Sequence, residues 1–410
     1  MQQITISDLA AQETKRDPIA FYAHLREQGP LTYLANFSEL GGAWIATNYD
    51  DVITILKDPR FIRDRQKLLA PEHGQGSPAQ GTFVQRTFAW RRDMLMVDPP
   101  DHTRLRSLVS KVFTPRMIEH LRPRIQQIAD ELLDAVQDQG KMDLIIDFAY
   151  LLPITVISEM LGIPVKDRAQ FRVWTQALIN LPETVQPGVE DARVAVVEEF
   201  LGYIKTLLAE KREHPANDVI SGLVQAEDEG DKLNEQEVIS TVFILIVAGH
   251  ETTVNLIGNG TLALLQHPDQ LRLLQNDPSL IPSAVEELLR YTAPVTLATP
   301  RWASEDVTLH DQVIRKGDMV FVSLIGADSD PQHFADPATL NLTREENQHL
   351  AFGKGIHYCL GAPLARLEGQ IAFSTLLHRL PHLQLAVEPE RLVWTRTPIL
   401  RGLKSLPVTF

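Results

Sequence analysis

The stretch of sequence that decides the fold reads Phe352-Gly353-Lys354-Gly355-Ile356-His357-Tyr358-Cys359-Leu360-Gly361. It contains Cys359, the only cysteine among the 410 residues. Its glycines permit a positive φ angle or a close approach of the backbone. Pro363 and the apolar spacing that follows it predict a helix that begins just after the cysteine. Because the N-terminus of a helix stabilises negative charge, the pattern favours a thiolate held against a large, flat group.

An isolated cysteine is more often a small buried hydrophobic residue than a ligand. This stretch, however, resembles the haem-ligand loop of the cytochrome P450 family position by position, and the resemblance extends over nearly the whole chain. Phe352, Gly355, Cys359 and Gly361 fall on the aromatic, glycine, cysteine and glycine positions of that loop. The resemblance implies that Cys359 is the iron ligand of haem b (iron protoporphyrin IX). It also implies that Phe352, His357 and Gly361 contact the cofactor.

The composition predicts one compact unit, which we expect to be a single domain spanning residues 1–410. No Gly/Ser linker or low-complexity segment divides the chain, and its hydrophobic content of 44% is enough for a sizeable core. The net charge of -14 disfavours nucleic acid and anionic membranes as partners.

The sequence also predicts a soluble, cytoplasmic protein, which we expect to be a monomer. Residues 1–30 have no signal-peptide core, and the most apolar stretch, Val238 to Ala248, is too short to cross a bilayer. A single cysteine cannot form an internal disulfide, as is usual for proteins of a reducing compartment.

Hydrophobic periodicity and turn residues predict a mainly helical chain with small β-sheets. A strand is expected over 43–47, a short helix over 49–56 and a mobile surface loop over 70–81. Further helices are expected over 117–137, 151–161, 167–178, 189–212 and from about 235 to 266. Asn234 and Glu237 form a capping box before the last of these, and short strands are expected over 307–309, 312–314 and 318–324. The resemblance implies the P450 fold, with haem between this long helix and the helix after Cys359.

The motif Ala248-Gly249-His250-Glu251-Thr252-Thr253 interrupts the apolar run of the long helix. Gly249 removes a side chain where a planar cofactor or O2 could approach, and the Thr252 hydroxyl can bond the Ala248 carbonyl. For the hexapeptide alone, helix packing and a solvated acid are an equally good explanation. The resemblance implies that Glu251 and Thr252 deliver protons to bound O2, and that Ala248 and Gly249 contact the cofactor.

Four cationic side chains are candidates for binding the two haem propionates. His102 and Arg106 lie on one face of a helix that begins after Asp98-Pro99-Pro100. Arg301 follows a proline-bounded turn, and His357 is two residues from Cys359. Each would ordinarily be a solvated surface charge, but all four match the family's propionate contacts.

Glu287 and Arg290 have the spacing of an ordinary surface ion pair on a helix. Their position between the other motifs resembles the structural Glu-x-x-Arg pair of the P450 family, which implies burial in a hydrogen-bonded network. The family commonly adds an arginine from a later loop, where this chain has Thr339. Arg344 is a candidate replacement.

The resemblance implies a monooxygenase, because a thiolate ligand favours cleavage of the O–O bond. The chain lacks a dinucleotide-binding glycine motif and has too few cysteines for an iron–sulfur cluster, so a separate redox partner is implied. We expect this partner to be a ferredoxin or flavodoxin with its reductase. Basic residues on the cysteine side are candidates for docking it, although they also fit scattered solubilising charges: Arg104, Lys111, Arg116, Lys354 and Arg366.

The resemblance places the substrate among apolar residues of four segments, 83–88, 242–248, 295–298 and 398–400. Phe88, Val295 and Ile399 are the named candidates for contact. Members of the resembled branch hydroxylate or epoxidise fatty acyl chains, macrolides, terpenoids and steroids. A peroxide-driven peroxygenase, a non-catalytic haem sensor and, more remotely, a cysteine hydrolase that uses His357 are the alternative functions.

Overall fold

The longest helix of the protein lies in its core and runs from Glu235 to Gln266. The computed structural model describes residues 4–38, 41–68, 83–88, 90–111, 113–181, 188–228 and 233–410, and the loop predicted over 70–81 lies outside them. The predicted capping box is present, with Asn234 Oδ1 accepting from the Glu237 N–H and Glu237 accepting from the Asn234 N–H, each at 3.0 Å. By length and composition this helix could cross a membrane, but 72% of its most apolar window is buried inside the protein. It is therefore a core helix.

The helices of the described residues are α1 (Ile6–Leu9), α2 (Gln12–Arg16), α3 (Pro18–Glu27), α4 (Tyr49–Lys57), α5 (Phe83–Phe88), α6 (Asp101–Ser110), α7 (Pro115–His120), α8 (Arg122–Asp134), α9 (Leu151–Leu161), α10 (Arg168–Ile179), α11 (Val189–Glu213), α12 (Val219–Asp228), α13 (Glu235–Gln266), α14 (Pro268–Asn276), α15 (Ile281–Thr292), α16 (Leu324–Asp328) and α17 (Ala362–Arg379). Apolar residues of α8, α9, α11, α13 and α17 contribute to the largest hydrophobic cluster. The fold class is mainly α, as predicted.

One helix prediction is wrong in an instructive way. The single helix expected over 117–137 is two helices, α7 and α8, with Leu121 between them. Pro123 lies in the first turn of α8, where its missing N–H costs no intrahelical hydrogen bond. Apolar periodicity continued across the break and concealed it.

The β-structure is minor. Its strands are β1 (Leu31–Ser38), β2 (Gly41–Ala46), β3 (Phe61–Ile62), β4 (Lys141–Asp143), β5 (Arg301–Ala303), β6 (Val307–Leu309), β7 (Gln312–Ile314), β8 (Met319–Val322), β9 (Gln384–Leu385) and β10 (Pro407–Thr409). The main sheet has the order β1-β2-β8-β5-β3, in which only the β2–β8 pair is parallel. Smaller sheets pair β4-β10-β9 and β6-β7. The strands predicted over 307–309 and 312–314 are confirmed. The strand expected over 43–47 is the end of β2, and the one expected over 318–324 is the shorter β8, because α16 begins at Leu324.

A buried ion-pair network joins α15 to the long loop before Cys359. Arg290 donates two hydrogen bonds of 2.8 Å to the Glu287 carboxylate, and both residues are inaccessible to solvent. Arg344 Nε is the third member of the network, at 3.1 Å from Glu287 Oε2. The surface-pair interpretation is therefore wrong, and Arg344 occupies the role left open by Thr339.

Replacement of Arg344 by alanine should destabilise the protein by an amount on the order of 1–3 kcal/mol, because it removes a partner from a buried carboxylate. The measurement is the midpoint of thermal unfolding. Thr339→Ala is the matched control, since the Thr339 side chain is exposed and only its carbonyl joins the network. Equal midpoints for the two variants would contradict a structural role for Arg344.

Candidate active site

The loop that presents Cys359 is shaped by two glycines with positive φ, Gly353 at 69° and Gly355 at 77°. A Cβ on Gly355 would lie 2.8 Å from the Leu56 carbonyl oxygen, so only glycine fits there. The Cys359 N–H donates to the Phe352 carbonyl at 3.0 Å and closes the loop. Gly361 differs from the prediction, because its φ of -80° is ordinary and a Cβ built on it meets no protein atom within 4 Å.

The environment of the Cys359 sulfur is desolvated. Burial raises the pKa of the thiol, and this outweighs the backbone N–H groups of Gly361 and Ala362 and the guanidinium of Arg106, which lower it. The side chain nevertheless has accessible surface. The thiol is thus desolvated although the residue keeps accessible surface. The protein alone therefore does not ionise Cys359, whereas a metal cation bound to the sulfur would.

Helix α13 has an accessible patch in its otherwise buried middle. Ala248 is exposed, and Val247, Glu251 and Thr252 are partly exposed. Gly249 does not have the predicted role, because a Cβ on it would lie 2.9 Å from a side-chain carbon of Ile157 in α9. Gly249 thus permits close packing of α13 against α9. Ala248 is the small residue on the accessible patch of α13.

The acid and the alcohol of the motif are consecutive residues on the accessible part of α13. The Thr252 hydroxyl donates to the Ala248 carbonyl at 3.1 Å. Burial raises the pKa of Glu251 to about 7, and Arg172 opposes this shift. The carboxyl can therefore exchange a proton near neutral pH. His250 is fully buried; its Nδ1 is 2.8 Å from the Ile246 carbonyl, and burial lowers its pKa to about 4.

The predicted cations converge on one region. The imidazole rings of His102 and His357 lie 4.4 Å apart, and the Nε2 atom of each is buried without a hydrogen-bond partner in the described structure. Burial, reinforced by Arg63, His102, Arg301 and Arg106, lowers the pKa of His357 to about 2. Burial also lowers the pKa of Arg301 to about 10 and depresses that of Arg106.

Arg63 is a cation of this region that sequence analysis missed. It is buried and donates to the carbonyls of Leu95, Thr299 and Pro300. The carboxylate of Asp98 accepts from the backbone N–H groups of Arg63 and Asp64. Arg63 therefore fixes the segment that leads into Arg301. No motif surrounds Arg63, so only its three-dimensional position reveals it.

These residues fit an iron-bearing, dianionic group such as haem b. Buried arginines and imidazole nitrogens that have no hydrogen-bond partner among the described residues call for acceptors, and the two carboxylates of haem are such acceptors. Cys359 supplies a soft ligand at a desolvated site, a Cβ on Gly361 would meet no atom of the described residues, and Ala248 is exposed.

Two of the predicted substrate contacts are neighbours. Val295 pairs with Leu400 in an antiparallel bridge, and the Ile399 carbonyl accepts from the Thr296 N–H at 2.9 Å. Val295 and Ile399 are partly exposed, whereas Thr296 and Leu400 are buried. The side chains of Phe88 and Val84 lie outside the described part of the structure.

The basic residues proposed for docking divide into two groups. Arg104 is paired with Glu237 and Asp101, and Arg366 is paired with Glu286 and lies over the Phe352 ring at 4.5 Å. These two therefore have structural partners. Lys111, Arg116 and Lys354 are exposed, and Ile356, beside Lys354, is 50% exposed.

One further titratable residue, also missed from the sequence, is Glu368 of α17. It is 1% exposed, and neither of its oxygens accepts a hydrogen bond of good geometry from the described residues. Burial raises its pKa to about 8, although the nearby Thr253 hydroxyl opposes this shift. It is therefore mainly uncharged at neutral pH.

Comparison with known proteins identifies the family. The family model for cytochrome P450 matches residues 66–391. The chain is 53% identical over 414 aligned residues to cytochrome P450 CYP107DY1 of Priestia megaterium, covering 100% of both proteins. The crystal structure of myxobacterial cytochrome P450 CYP267B1 in complex with myristic acid matches with a TM-score of 0.90 and 46% identity, covering 98% of each chain. The crystal structure of P450BioI in complex with an acyl carrier protein that bears hexadec-9Z-enoic acid matches with a TM-score of 0.86 and 40% identity. The match covers 98% of this chain and 100% of the P450BioI chain.

The desolvated cysteine, the buried arginine and histidine side chains and these similarities all indicate the same family. The chain belongs to the cytochrome P450 family, whose members bind haem b and act as monooxygenases.

Proposed function

We propose that this protein inserts one atom of O2 into a C–H or C=C bond of a hydrophobic substrate. The other oxygen atom leaves as water, so each turnover consumes two electrons and two protons. The observation that carries the proposal is the acid–alcohol pair of Glu251 and Thr252 on the accessible middle of α13. A haem sensor or carrier has no use for a buried carboxyl whose pKa is raised to about 7 beside a hydroxyl.

We assign the haem contacts residue by residue. Cys359 is the iron ligand, and His102, Arg106, Arg301 and His357 bind the two carboxylates. The contacts to the ring come from Phe352, Gly361 and Ala248, whereas Gly249 acts through helix packing. When bound, haem supplies the iron that activates O2, and its thiolate ligand favours O–O cleavage.

Glu251 and Thr252 supply the protons in this proposal. Glu251 takes a proton from solvent, because a carboxyl with a pKa near neutrality can both gain and release one. The Thr252 hydroxyl, held by the Ala248 carbonyl, is positioned to donate at the accessible patch of α13. Arg172 stabilises the ionised form of Glu251, so the carboxyl does not remain permanently protonated.

The substrate is hydrophobic and contacts Val295, Ile399 and Phe88. A fatty acyl chain is the first class to test, since one relative has been crystallised with myristic acid and another with an acyl carrier protein that bears hexadec-9Z-enoic acid. Macrolides, terpenoids and steroids remain within the proposal. Electrons come from a ferredoxin or flavodoxin with its reductase, in the cytoplasm.

The proposal is tested by turnover with ¹⁸O2, a surrogate ferredoxin and its reductase, using myristic acid first and then a panel of the other substrate classes. We expect a product that contains one ¹⁸O atom and whose formation stops without reductant. Product formed only with hydrogen peroxide would favour a peroxygenase. Haem spectra perturbed by ligands without any product would favour a sensor.

Glu251→Gln should lower the yield of product per electron consumed, because the amide cannot relay a proton. In the wild type the turnover rate should fall as pH rises through about 7, where the protonated fraction of Glu251 declines. This pH step should be absent in Glu251→Gln and retained in Glu251→Asp. The measurement is the amount of product formed per reductant consumed. It is recorded from about pH 6 to about pH 8, roughly one unit on either side of the Glu251 pKa.

Reversal of charge at Lys111 and Arg116 should slow reduction by the redox partner and weaken its dependence on salt, because both cations are exposed and unpaired among the described residues. Stopped-flow reduction over a range of ionic strength measures both effects. The control is reversal of Lys166 and Lys205, two exposed lysines elsewhere on the surface. If both double variants are reduced at the wild-type rate, the docking assignment is wrong.

A further inference from the structure

A lysine of the N-terminal helix α2 is buried against the C-terminal part of the chain. Lys15 is 1% exposed, and its Nζ donates to the Leu400 carbonyl at 2.6 Å. Burial and the nearby Arg401 lower its pKa to about 7. Burying an amine in this way is unfavourable, and a carbonyl offers it less compensation than a carboxylate would. A role other than stability would explain why the amine is there.

The same helix holds the chain around Leu400 at two further points. The Gln12 side chain accepts from the Trp394 N–H at 2.8 Å and donates to the Trp394 carbonyl at 2.9 Å. Arg401 also contacts Lys15, because its Nε donates to the Lys15 carbonyl at 2.7 Å. Helix α2 therefore holds the 394–402 segment from one side through both side chains and backbone.

The opposite side of the segment lies on α13. Asn259 donates to the Arg401 carbonyl at 2.8 Å, and Gly402 lies so close to the Asn255 side chain that a Cβ would overlap it. The 394–402 segment is therefore fixed between α2 and the helix that presents Glu251 and Thr252. Its position cannot change without breaking one of these two sets of contacts.

Residues assigned to the substrate cavity lie directly at the point where Lys15 acts. Leu400 pairs with Val295, and the neighbouring Ile399 carbonyl accepts from the Thr296 N–H. A shift of the Leu400 carbonyl would move Ile399, which precedes it, and would disturb the bridge to Val295. The Lys15 amine, 385 residues from Leu400 in sequence, therefore controls the position of the backbone that carries Ile399.

We propose that Lys15 is a positioning residue that fixes the backbone at Leu400, and with it Ile399 and the bridge to Val295, and so sets which hydrophobic substrates fit the cavity. This rests on the proposed function, in which Val295 and Ile399 contact the substrate. It differs from a stabilising role in a testable way. Methionine has a similar shape without the amine, so Lys15→Met should preserve the fold while releasing the Leu400 carbonyl.

The test compares Lys15→Met with Arg16→Met in the haem-loaded protein. Arg16 is the matched control, because it is on the same helix and donates to a backbone carbonyl, but at Glu390 and on the exposed side. The probes are imidazole and N-dodecylimidazole, whose ring binds the iron while the alkyl tail samples the cavity. Spectral titration gives the ratio of the two affinities, and hydrogen exchange reports on the 394–402 segment.

We expect Lys15→Met to change the affinity ratio at least threefold and to speed exchange in the 394–402 segment. Its thermal midpoint and its affinity for imidazole alone should stay at the Arg16→Met values. An unchanged ratio would overturn the proposal, and so would loss of the folded, haem-loaded protein, which would make Lys15 a stability residue. Failure of imidazole to shift the spectrum of the wild type would instead count against the proposed function.

Discussion

The structure depends on buried arginine and histidine side chains that lack anionic partners among the described residues and lie beside a desolvated sulfur. His102, His357 and Arg301 are held in a region where burial lowers the pKa of each. Asp98 raises the pKa of His102 and of Arg301, but its carboxylate already accepts from two backbone N–H groups. Such a cluster is costly unless an anion completes it. Haem b, the cofactor of this family, brings two carboxylates to the cations and an iron ion to Cys359.

The scaffold around this region is built from close approaches that only particular residues allow. Gly355 packs closely against the Leu56 carbonyl, and Gly249 leaves room for the Ile157 side chain of α9. The buried network of Glu287, Arg290 and Arg344 joins α15 to the loop that leads to Cys359. These contacts hold the cysteine loop against α4 and α13 against α9.

Sequence analysis predicted the elements and the motifs well, because local periodicity and a specific cysteine loop determine them. The limits of α9, the capping box of α13 and the contact of Thr252 with Ala248 all follow from short-range patterns. The sequence did not predict which way a side chain at Gly249 would point, because that direction depends on which neighbouring helix packs there. Arg63 and Lys15 were invisible for a related reason: each acts on backbone carbonyls distant in sequence, and a carbonyl leaves no signature in the sequence.

The central claim is that Cys359, desolvated and flanked by buried cations, is the haem ligand. Its most direct test is the absorption spectrum of the reduced protein under carbon monoxide, recorded for the wild type and for Cys359→Ser. We predict a strongly red-shifted Soret band in the wild type that is absent in the variant. A band at the same position in both proteins would show that the sulfur does not bind the iron and would contradict the account.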